Sequence, residues 1–139
     1  MRHISAAILA GIMALASFGG LAAAKGRNDI SGEWQGLYLS NAGGDANTFT
    51  LTFSGSPASL SGSVVEVNVF GDHNLALFLT ADIRGEQNGS NIYFEKTYDG
   101  SGGVSHSVQY QGMLSSDGRH ISGTYYLNGT AAGVFELAR

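Results

Sequence analysis

Asn47-Thr48-Phe49-Thr50-Leu51-Thr52-Phe53-Ser54 alternates polar and apolar side chains over its whole length. Successive side chains on an extended chain point to opposite faces, so a period of two specifies a strand with one buried and one wet face. Phe49, Leu51 and Phe53 form the buried face, and Thr48, Thr50 and Thr52 the solvated one. Gly55-Ser56-Pro57 then turns the chain. The same pattern recurs outward in both directions, with Gly, Asn, Asp or Ser between the runs.

Upstream, Gly32 to Ser40 reads as a strand with Trp34 and Tyr38 on the face of Gly32 and Gly36. Downstream, a third strand runs from Leu60 to Val67, its facing ambiguous because Val64 and Val65 are adjacent. A fourth, Leu75 to Arg84, is expected to bury Leu75, Leu77, Leu79, Ala81 and Ile83. Asn88-Gly89 predicts a two-residue hairpin turn. It leads into Ser90 to Tyr98, which should bury Ile92, Phe94, Lys96 and Tyr98. Centring that turn on Asn88-Gly89 sets Ile83 opposite Phe94 and Leu79 opposite Tyr98. The sixth strand, Val104 to Leu114, should bury Val104, His106, Val108, Tyr110 and Leu114. After Asp117-Gly118 the seventh buries Ile121, Tyr125 and Leu127, and after Asn128-Gly129 the eighth buries Phe135 and Leu137. The expected fold is all-β, a single-domain antiparallel up-and-down β-barrel of about eight strands.

The N-terminus reads as an address. Arg2 and His3 precede an apolar stretch from Ile4 to Phe18, and Ala22-Ala23-Ala24 supplies the small residues of a cleavage site. Residues 1–24 are expected to be a signal peptide and residues 25–139 the barrel domain, exported to the periplasm or outside the cell. No membrane span is expected in the mature chain. The formal charge of −4 disfavours a nucleic-acid role, which normally needs a basic face, and no nucleic-acid partner is expected. With 0 Cys the barrel must hold together without disulfides.

Gly32-Glu33-Trp34 at the start of an eight-strand meander resembles the G-x-W start of the calycins, the group of lipocalins, fatty-acid-binding proteins and avidins. The resemblance implies structural roles for Gly32 and Trp34. In that fold the Trp closes one end of the barrel and a basic residue of the last strand packs over it, a place that Arg139 can fill. Trp34 is the only Trp, whereas avidins line their biotin site with several, so biotin binding is not carried over.

Polar groups on the buried parity are the candidates for function. Tyr38, Lys96, Tyr98, His106, Tyr110 and Tyr125 all share it with Leu, Ile and Phe. If Tyr98 faces Val104, Lys96 lies opposite His106, and burying an ammonium beside an imidazole is costly unless something compensates. One reading is a ligand cavity with polar groups for an anionic head and apolar walls for its tail. Another is Tyr and Lys covering apolar surface with their polar tips in water at a barrel mouth. Glu33, Glu66, Asp82, Glu95 and Glu136 are assigned mostly to the outward face, which gives no carboxylate pair for hydrolysis. The scattered His residues lack metal-site spacing, and no metal or cofactor is expected.

The expected function is therefore an exported, non-catalytic binding protein for a small hydrophobic or amphipathic molecule. The alternatives are a protein-binding module or inhibitor with a filled barrel, and a barrel isomerase or cyclase using Lys96 and His106.

Overall fold

The structure is a computed structural model that describes residues 26–139. The expected signal peptide at residues 1–24 lies outside the described residues. Eight strands follow one another: β1 (Gly32–Ser40), β2 (Asn47–Ser56), β3 (Ser59–Val67), β4 (Phe78–Asn88), β5 (Asn91–Tyr98), β6 (Ser107–Leu114), β7 (His120–Leu127) and β8 (Thr130–Ala138). Each pairs antiparallel with the next, and β8 returns to β1 through pairs such as Tyr38 with Phe135, closing the barrel. Closure leaves no free strand edge, which explains how so many β-prone runs coexist without a protecting helix.

The strand directions define two ends. The N-terminal segment, the tight β2–β3, β4–β5 and β6–β7 turns and the C-terminus gather at one. The longer β1–β2, β3–β4 and β5–β6 connections and the β7–β8 turn gather at the other, called the mouth below.

The interior is filled by the expected parity set. Trp34, Leu51, Phe53, Ile83, Ile92, Phe94, Tyr110, Ile121, Phe135 and Leu137 are all buried. Two inward glycines make room for this many rings. A Cβ at Gly36 would stand 2.5 Å from Phe49 Cζ, and one at Gly112 would stand 2.8 Å from Phe135 Cζ. Small residues opposite large ones are how an eight-strand interior packs without voids.

Three sequence expectations are corrected. First, β4 begins at Phe78, and Leu75 and Leu77 are 68% and 71% exposed. The chain leaves the barrel wall at Asn68, whose buried carboxamide donates to Ala76 O and accepts from Gly71 N–H. This holds residues 68–77 as a loop above the rim, beyond the last interior layer.

Second, the β4–β5 register is shifted. Asn88 pairs with Asn91, so Gly89 and Ser90 form the turn and Ile83 faces Lys96. Gly89 has φ 60 and Ser90 is not in the positive-φ region, the pattern of a turn with Gly first. At the eighth strand the Asn-Gly rule holds: Asn128 and Gly129 have φ 51 and 78 between paired Leu127 and Thr130.

Third, β6 begins at Ser107, so His106 lies in the preceding loop and is exposed, and Leu127 at the end of β7 is exposed too.

Candidate functional site at the barrel mouth

Glu66 is the residue that organises the mouth. It is 2% exposed and points inward from β3, although its sequence placed it outward. Its Oε1 accepts from Lys96 Nζ at 3.0 Å and from the Tyr98 hydroxyl at 2.8 Å. Its Oε2 accepts from the Tyr38 hydroxyl at 2.9 Å. One carboxylate from β3 thus gathers an ammonium and a phenol from β5 and a phenol from β1.

Lys96 is 1% exposed, and its ammonium lies among aromatic rings. The centroids of Tyr98, Tyr38, Phe49 and Tyr110 are 4.6, 4.9, 5.4 and 5.4 Å from Nζ. Ring faces are the negative side of the aromatic quadrupole, so they share with Glu66 the task of compensating a buried cation. Burial still pulls the Lys96 ammonium below the ordinary lysine value, with the Glu66 carboxylate opposing. Burial, reinforced by that carboxylate, holds the Tyr38, Tyr98 and Tyr110 phenols well above their ordinary value. Burial also raises Tyr125.

Above this network is a cavity of about 240 Å³. All six residues singled out from the sequence line it: Tyr38, Lys96, Tyr98, His106, Tyr110 and Tyr125. Their partnerships differ from those expected. Lys96 faces Val108 across the β5–β6 pair, not His106, and gives its ammonium to Glu66. His106 sits at the rim beside Tyr98, whose backbone N–H donates to His106 O at 3.1 Å. The rings of Tyr98 and His106 are 4.9 Å apart.

Two participants were missed. Phe70, from the β3–β4 loop, lines the cavity and meets Tyr98 edge-on at 5.8 Å; its loop carried no strand pattern to follow. Glu66 was recoverable, because Leu60, Val64 and Glu66 share parity and Leu60 and Val64 are buried. Extending that face by one step puts a carboxylate inside. By contrast Glu136 keeps its outward facing yet is covered, and burial pushes its carboxyl up to about 7.

The opposite end is built differently: a concavity of about 380 Å³ opens between the N-terminal segment and the β2–β3 turn, and the barrel itself is plugged there by an indole. The Trp34 indole is fully buried and donates Nε1–H to Ile30 O at 2.8 Å. The Arg139 guanidinium lies 4.5 Å from the indole ring and donates Nε–H to Gly118 O. Gly32, at φ 106, begins β1 just before this plug.

Among the described residues no group of three or more His, Asp or Glu side chains is placed to hold a metal ion, and no helix is long and apolar enough to cross a membrane. The closed eight-strand barrel is compatible with the calycin layout. In comparisons with known proteins, no family model, no curated protein and no solved structure matches the chain.

Proposed function

We propose that this chain is an exported, non-catalytic binding protein of calycin-like build, holding a small, neutral, partly aromatic molecule at the barrel mouth. The observation that carries the reading is the 240 Å³ cavity, with aromatic walls above a charge-balanced floor. Sites for drug-sized ligands run from about 300 Å³ upward, so this one suits a smaller guest. An anionic head group is disfavoured, because it would have to compete with Glu66 for a cation already paired and caged. Catalysis by Lys96 and His106 is disfavoured for the same reason, since the ammonium is committed elsewhere.

Native mass spectrometry on gently purified protein tests the reading. Extra mass that is lost on denaturation is expected; a bare mass would overturn the proposal of a retained guest.

A second reading, a protein-binding barrel, draws on one separate observation. Val67, Val69, Phe70, Leu75, Leu77 and Phe78 are each about half exposed or more within a single stretch of chain. Val67 and Phe78 pair across β3 and β4. Exposed apolar side chains grouped in this way are the kind of surface that marks an interface when contiguous. A second copy of this chain is the occupant this reading predicts. Sedimentation velocity should then show a dimer that Leu77→Asp dissociates, and a monomer for the unaltered protein would reject it.

A further inference from the structure

Another concavity, of about 700 Å³, lies on the outside of the barrel; it shares His106 and Leu127 with the rim of the mouth cavity but none of the Glu66 network. It is built on the outer faces of β5, β6 and β7, and the Asn128-Gly129 turn forms its rim. Strand register fixes the arrangement. Tyr93 on β5 pairs with Gln111 on β6, and Gln109 on β6 pairs with Tyr126 on β7. Two aromatic residues on the outer strands therefore flank two glutamines on the middle strand. With strands about 4.8 Å apart and residues about 3.4 Å apart along a strand, the two tyrosine positions are separated by about 12 Å, room for a di- or trisaccharide.

The chemistry of the lining is selective. The side chains that line the groove include His106 but no carboxylate, lysine or arginine, and the Glu95 carboxylate adjoins it only through Gln109. The groove therefore lacks the paired charges that would recognise a nucleotide or an ionic peptide. Tyrosine supplies a flat apolar face with a hydroxyl tip, suited to the C–H face of a sugar ring. A glutamine carboxamide offers both donors and an acceptor in one plane, suited to neighbouring hydroxyls. Gln109 is already oriented, its Nε2 donating to Glu95 Oε2 at 2.8 Å. Asn128, held at φ 51, adds a further carboxamide at the rim.

We infer that this outer groove binds a neutral oligosaccharide, with Tyr93 and Tyr126 as stacking platforms and Gln109 and Gln111 as the hydrogen-bonding centre. The inference does not rest on a ligand at the mouth, and its test keeps the two sites apart.

The ¹⁵N-labelled protein is titrated separately with maltotriose, cellotriose and chitotriose to millimolar concentration, with backbone and side-chain amide shifts followed by residue. At least one sugar should give saturable shifts at Tyr93, Gln109, Gln111 and Tyr126. Tyr93→Ala and Tyr126→Ala should each weaken that binding about tenfold or more while the remaining amide spectrum is retained. Silence with all three sugars would overturn the inference, as would binding unchanged in both variants. Shifts confined to Tyr38, Tyr98 and Tyr110 would also overturn it, by placing the sugar in the mouth instead.

Discussion

At the Trp34 end an indole, capped by the Arg139 guanidinium and tied to Ile30 O, closes the barrel with one buried hydrogen bond. At the mouth a carboxylate, an ammonium and two phenols are buried together under an open cavity. The first arrangement gains from apolar burial and partly desolvates one cation, Arg139, whose Nη1 is buried with no hydrogen-bond partner among the described residues. The second incurs the desolvation of two charges and recovers it only if every partner is present. Buried ion pairs are weak evidence for stability, since apolar replacements of similar volume are often as good. Retaining one beside a cavity is easier to understand as shaping a polar surface for a guest than as holding the fold.

Substitutions sharpen this contrast. Trp34→Ala should destabilise by about 3–5 kcal/mol in chemical denaturation, with no rescue by a second change at Arg139. Glu66→Ala should cost a similar 3–5 kcal/mol, because it leaves Lys96 buried without its carboxylate. Here rescue is expected: Glu66→Leu combined with Lys96→Met should recover part of the loss, the remainder being the Tyr38 and Tyr98 hydroxyls left without their acceptor. If the double variant is no more stable than Glu66→Ala, the mouth network is not the coupled unit described here.

Alkaline pH separates the ends next. The Tyr38, Tyr98 and Tyr110 phenols titrate above the ordinary 10.0 in the folded protein. Above pH 10 the unfolded chain therefore loses protons that the folded one keeps, and stability falls as pH rises. The slope is about 1.4 kcal/mol per pH unit for each phenol. Lys96, pulled below its ordinary 10.5, acts with the opposite sign up to that pH, so the decline is clearest beyond it. Ionisation of Tyr38, Tyr98 and Tyr110 should coincide with loss of the fold; their ionisation in a still-folded barrel would contradict this.

Smaller effects follow. Gly36→Ala should cost about 1–3 kcal/mol by overpacking against Phe49 and Leu137. Arg139→Ala, removing a cation from the indole face, should cost about 1 kcal/mol. Thermal melts give both.

How much of this was legible in the sequence follows the same division. The strand count, the barrel and most of the interior could be read, because period-two patterning is local and parity is unforgiving: a one-residue slip inverts every side chain. Trp34, Phe49, Leu51 and Phe53 are where alternation puts them. Five of the six polar residues are buried as their parity put them, and His106 reaches the same cavity from the rim instead. What failed is non-local. The two-residue shift at Gly89-Ser90 leaves parity intact, so no facing argument detects it, yet it changes which residue faces Lys96. Glu66 was hidden by the adjacent valines before it. Leu75 and Leu77 look like strand interior until Asn68 is seen to fold its own loop beneath them. Hydrophobicity alone cannot distinguish a buried face from an apolar rim.

The central claim, that the mouth rather than the Trp34 end is a built binding site, is tested most directly with a small neutral aromatic probe. Titration with 2-naphthol, followed by residue-resolved NMR, should give saturable shifts at Phe70, Tyr98, His106 and Tyr125, with Trp34 unmoved. Shifts at Trp34, or no saturable shifts anywhere, would contradict it.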